Sequence, residues 1–161
     1  MIRHFLLITT VAFFQEFGAA QCPVTMAPVQ QFVPPAPFSA NLPPGFFWYG
    51  AASLWTHVSS DPNWWRGPVG GTSAYSAKLA YWSAGFDARK EMDPKLTVVA
   101  RRLDAAAPLI WAGHASAVWD PGHRSTADEL MLTGIDLPTG GCWEIAAHYK
   151  GQGLSIIVLL P

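Results

Sequence analysis

The chain has 161 residues, a formal net charge of -1, 50% hydrophobic residues and 13% charged ones. That is enough apolar material for one domain with a real core, and it excludes a chain disordered as a whole. Neither sign of charge dominates and no basic stripe appears, which argues against a nucleic-acid partner.

Residues 1–20 read as an export signal rather than as part of the fold. Arg3 precedes an uncharged apolar run over residues 5–14, and Gly18-Ala19-Ala20 supplies the small residues that a signal peptidase reads. A run of that length is too short to span a bilayer, and no later stretch is long enough. Export after Ala20 would place the chain in a periplasm or outside the cell. There, two cysteines are expected to pair, so Cys22 is assigned to Cys142. Lipid attachment at Cys22 is disfavoured because Gln21, rather than a small residue, precedes it. The bridge would close a loop of about 120 residues, for which chain-entropy models give roughly 4–5 kcal/mol.

Residues 21–45 form the next unit. Seven prolines lie between Pro23 and Pro44, and their fixed φ angles and missing donors forbid a helix or a central strand. Phe32, Val33 and Phe38 are too apolar for a free linker, so an extended arm strapped onto the domain is predicted.

Residues 46–161 carry the domain proper. Short strands are predicted over residues 46–50 and 54–58, broken around Gly50. Residues 59–72 form a long loop holding Trp64 and Trp65. Strands follow over residues 77–82 and 96–103, the second turning Leu96, Val98 and Ala100 inward. Residues 111–128 show no clean periodicity and are predicted to be an irregular loop.

The last thirty-odd residues hold the clearest pattern, that of three closing strands. Trp143, Ile145, Ala147 and Tyr149 form one face of a strand; Cys142, Glu144, Ala146 and His148 form the other. A glycine-containing turn at residues 150–153 leads into a return strand with Leu154, Ile156, Val158 and Leu160 on one side. A bridge at Cys142 would sit on the outer face of that sheet and draw the arm over Ile157 and Leu159. Short strands between Pro/Gly punctuation, with no helical period, give an all-β antiparallel sandwich of about seven strands with long loops.

Trp48-Tyr49-Gly50, Leu54-Trp55-Thr56, Trp82 with Gly85-Phe86-Asp87, Leu96-Thr97-Val98 with Arg102-Leu103-Asp104, and above all Pro138-Thr139-Gly140-Gly141-Cys142-Trp143-Glu144 resemble a group of uncharacterised bacterial exported proteins. The final Gly-Cys-Trp-Glu strand is similar to the closing hairpin of bacterial immunoglobulin-like domains. The resemblance spans most of residues 46–160. It implies a single immunoglobulin-like sandwich and a cell-envelope location, and carries no catalytic residue with it.

His57, His114, His123 and His148 follow the signal, but none sits at ligand spacing. Glu144 and His148 share a strand face about 13 Å apart. His114 and His123, close together in one loop, are the candidate pair for copper or zinc, against ordinary surface histidines. No Gly-x-Ser-x-Gly elbow is present. Asp87, Glu91 and Asp93, and the pair Asp128 and Glu129, stand among Arg89, Lys90 and Arg124 in loops, as solvated ion pairs do.

The aromatics point most directly to function. Alternation places Trp143, Trp82, Trp55 and Trp48 in the sandwich core. Trp64, Trp65, Trp111 and Trp119 fall in loops, where they either stack on a sugar or fill a partner's pocket, or fold back as satellite clusters. The expectation is therefore a non-enzymatic exported interaction or structural domain of the envelope, binding a protein or glycan through these rings. A copper- or zinc-binding protein and a carbohydrate-binding or glycan-active protein are the alternatives.

Overall fold

The computed structural model describes residues 21–38, 42–61, 64–65, 67, 74–118 and 129–161. The predicted signal, residues 1–20, lies outside them. Among the described residues the chain is all-β, with nine strands. These are β1 (Phe46–Ala51), β2 (Leu54–Ser59), β3 (Tyr75–Trp82), β4 (Thr97–Arg102), β5 (Ile110–Trp111), β6 (Ser116–Val118), β7 (Leu130–Leu137), β8 (Gly141–Tyr149) and β9 (Gln152–Leu160). They form two antiparallel sheets, ordered β1-β2-β3-β7-β6 and β5-β4-β8-β9.

The count exceeds seven because the stretch around residues 110–118, partly expected as irregular loop, contributes two short strands. Tertiary pairing makes them. Ala112 donates its amide to Val98 in the second sheet, and one residue later Gly113 donates to Gly134 in the first. The chain thus changes sheets at this corner and then pairs with β7 as β6. Thr133 is buried and secures the corner, its hydroxyl donating to the Gly113 carbonyl at 2.6 Å.

Alternation builds the core as the sequence implies. Leu79, Tyr81, Met131, Ile135 and Leu137 of the first sheet face Val98, Ala100, Trp143, Ile145 and Ala147 of the second, all buried. Trp143 is fully buried, and its indole N–H donates to the Thr139 carbonyl, so burying the ring leaves no orphan donor. The closing hairpin turns through Lys150 and Gly151, both at positive φ, a two-residue turn whose twist matches the strands it joins.

The prolines give an arm without regular structure, and the arm supplies a third layer. Cys22 is bridged to Cys142, with Cα atoms 5.6 Å apart. The Thr25 amide donates to the Ile157 carbonyl, and the Ile157 amide donates to the Thr25 hydroxyl at 2.7 Å, so the arm caps the outer edge of β9. Ile157 is half-buried beneath it, but Leu159 remains 45% exposed: the strap crosses the edge strand without covering its end.

Further along, Phe32 and Phe38 pack on Trp55, Phe38 edge-on at 4.9 Å between ring centroids. This corrects the expected placing of three tryptophans. Trp55, Trp82 and Trp48 form a second cluster on the outer face of the first sheet, roofed by the arm, rather than joining the inter-sheet core. The register explains it. Trp55 pairs with Trp82 and Trp48 with His57, positions whose side chains share the face opposite Leu54 and Val58.

Candidate functional site

The loop tryptophans part company. Trp65 is 4% exposed and belongs to the main core, which removes it from any contact surface. Trp64 beside it is half-buried, packed against that core and edge-on to Phe46. Neighbouring side chains on an irregular segment diverge, so one ring fills the sandwich end and the other faces outward past it. Trp111 is 63% exposed. Ile110 and Ala112 on either side of it pack on the core, and period two then turns the ring between them outward. Trp119 lies outside the described residues.

Trp64 and Trp111 line the same cleft, of about 910 Å³, at the corner where the chain changes sheets. Its floor is made of small residues: Ala77, Gly113 and Gly134. Its rim is polar. Ser76 and Asp136 are cross-strand partners, and the Ser76 hydroxyl donates to the Asp136 carboxylate at 2.5 Å. Lys78 lies across Gly134 in the next pair along. These even-numbered residues of β3 and β7 share the outer sheet face with Ala80, Trp82 and Leu132, which the arm's cluster covers. The arm roofs one half of that face, and the cleft occupies the other.

His114 also lines the cleft. Its Nε2 meets a carboxylate oxygen of Asp93, which also takes a 2.8 Å ion pair from Lys95. The Lys95 hydrogen bond above all, with some opposition from desolvation and further help from His114, holds the Asp93 carboxyl below its usual range. His123 lies outside the described residues, so of the candidate metal pair only His114 can be placed. Among the described residues no three His, Cys, Asp or Glu side chains gather as a metal site would require.

The remaining carboxylates of the 87–93 segment pair with surface lysines, Asp87 with Lys90 and Glu91 with Lys150. Glu91 also accepts from the Tyr149 hydroxyl. Partial burial opposes ionisation of Glu91, but the hydrogen bonds from Lys150 and Tyr149 outweigh it and leave its pKa lowered. Each carboxylate is thus committed to a local cation, not turned with a second one into a shared cleft.

A second cavity, of about 390 Å³, lies beneath the arm between Val24, Met26, Phe47, Val58 and Val158. Its serine hydroxyls, at Ser59 and Ser60, are already directed to the Gly45 carbonyl. With no converging polar groups it is a gap in the strap's packing, without the features that orient a ligand.

Sequence reading named Trp64, Trp111 and His114 but missed Ser76, Lys78, Gly134 and Asp136. The available signal was the abrupt change along β3 and β7, where one outward-facing row runs from polar or small residues into buried apolar ones. No helix among the described residues is long and apolar enough to cross a membrane. Comparison with protein-family models, with curated proteins and with solved structures finds no match.

Proposed function

We propose that this chain is an exported, non-catalytic recognition domain of the bacterial cell envelope that binds its partner in the Trp64–Trp111 cleft. The observation that carries the reading is the exposed Trp111 ring facing the same open cleft as Trp64, over a small-residue floor and beside a polar rim. Aromatic rings with a few placed polar groups are the composition of binding sites. An exposed ring with a second aromatic lining the same cleft offers an apolar contact surface with a polar handle.

The immunoglobulin-like assignment belongs to the same proposal. The order β2-β3-β7-β6 against β5-β4-β8-β9 corresponds to strands A-B-E-D against C′-C-F-G of that arrangement, with β1 as an added strand. Export is supported by the signal-like residues 1–20 and by the Cys22–Cys142 bridge, since disulfides persist in oxidising compartments.

The test compares the purified chain with its Trp111→Ala variant for capture of envelope material, fractionated into membrane proteins and cell-wall glycan. Capture lost in the variant, with an unchanged unfolding midpoint, is the expected result. Equal capture by both proteins would sink the cleft as the binding face.

A further inference from the structure

We propose that the cleft's ligand is a carboxylated saccharide, a pyranose ring lying against Trp111 with its carboxylate on Lys78. The inference deepens the recognition reading and rests on it. Three observations on the cleft define the ligand, each through a different property.

The first is charge. Lys90, Lys95, Arg101, Arg102, Lys150 and Arg89 each have a carboxylate within ion-pair distance. Among the described cations Lys78 alone has none, and it lines the cleft. Its ammonium is a free donor for an anionic group beside an aromatic ring.

The second is the glycine beneath Lys78. Gly134 stands inside β7, where glycine weakens a strand, and a glycine there marks a close approach by another backbone or a ligand. Backbone packing does not demand it. A Cβ at Gly134 would meet the Lys78 side chain, its ammonium at 3.6 Å and its Cδ at 3.9 Å, and the Ala77 carbonyl at 3.9 Å, and one at Gly113 would meet the Gly134 carbonyl at 3.6 Å, all ordinary contacts. Neither residue has positive φ. What Gly134 achieves is room for the Lys78 side chain to lie across β7, which holds its ammonium at the cleft.

The third is the rim beside Lys78, one same-face pair along β3 and β7. Asp136 uses one carboxylate oxygen to accept from Ser76, leaving lone pairs for further donors. A carboxylate acceptor suits sugar hydroxyls and repels a ligand's own carboxylate, which sets the orientation: acid toward Lys78, hydroxyls toward Asp136. A pyranose offers an apolar face, a hydroxyl edge and one acidic group in that disposition. An apolar peptide side chain would want a deeper pocket without the charged rim.

The shared chemistry, a ring bearing a carboxylate, occurs in uronic acids and in lactyl-ether amino sugars. Amide NMR titration of the purified chain with tetragalacturonate, a peptide-free muramyl tetrasaccharide, neutral chitotetraose and a glutamate-rich hexapeptide separates the sources. The expected result is binding of at least one acidic sugar tenfold or more tighter than chitotetraose, with shifts centred on Trp111, Gly113 and Gly134. Lys78→Gln should erase that tenfold preference while keeping the weaker neutral binding. Trp111→Ala should weaken every sugar by tenfold or more, and Gly134→Val, which crowds the Lys78 side chain, should reduce the acidic preference as Lys78→Gln does.

Equal affinity for acidic and neutral sugars, or a preference that survives Lys78→Gln, overturns the carboxylate assignment. Binding of the hexapeptide alone, or no response to any probe, overturns the saccharide. If envelope capture is still lost in Trp111→Ala, the recognition reading stands without the sugar; if it is retained, both fall.

Discussion

Replacing the bridge by Cys22→Ser together with Cys142→Ala tests how the arm is held. The bridge closes a loop over a sequence separation of 120 residues, most of the 161-residue chain. The chain-entropy relation gives about 5 kcal/mol for a loop of this size, arising in the unfolded state. Against that, the backbone tie between arm and sandwich is the Thr25–Ile157 pair, and the apolar tie is Phe32 and Phe38 on Trp55. If arm and sandwich unfold together, the double variant should lose about 5 kcal/mol in urea titration, and about 10–20 °C in thermal midpoint for a domain of this size. Its m-value should rise, because an uncrosslinked unfolded chain exposes more surface. The opposite result has a definite form. A midpoint within about 1 kcal/mol of the parent, with proteolysis confined to residues 23–38, would show that the arm opens by itself. The loop-entropy argument would then be refuted, since the bridge would be stabilising only a local strap.

Phe38→Ala should cost about 1–3 kcal/mol and red-shift tryptophan emission, because it uncovers the buried Trp55 ring it meets edge-on. Trp65→Ala should cost about 3–5 kcal/mol in chemical denaturation, whereas Trp111→Ala should stay within about 0.5 kcal/mol; equal costs would contradict the opposite burial of the two rings. His57 stands among Phe46, Trp48 and Trp82, and burial there lowers its pKa below 6.5. The unfolded chain therefore takes up the proton first as pH falls, so the stability from this group is complete above pH 6.5 and erodes below it, toward the lower folded value. An NMR titration of His57 and denaturation curves through pH 6.5 check this, and His57→Phe should remove its share of the slope.

The strands were legible wherever one face is buried and the other is not. In β8 the odd residues from Trp143 to Tyr149 lie in the core, as period two requires. The same rule misplaced Trp55 and Trp82, because alternation separates two faces without saying that both are covered. β2 and β3 are apolar on both faces where the arm roofs them, so their pattern names no inside. The corner at Ala112 and Gly113 was invisible for a related reason: strands of two or three residues are held by partners far away in the chain, not by their own composition.

The amino-acid sequence by itself determined the fold class, the extended arm and the pairing of Cys22 with Cys142. Each follows from a local or compositional rule: periodicity, the missing donors of proline, and two cysteines in a chain with a signal-like start. It also picked out the rings that were candidates for contact. Only the tertiary structure decided that Trp65 is core, that Trp111 is exposed, and that Trp64 and Trp111 share one cleft with Lys78 and Asp136. Those outcomes depend on which strands become neighbours. Lys78 and Gly134 meet across a β3–β7 register 56 residues apart in sequence, a separation at which no periodicity carries information.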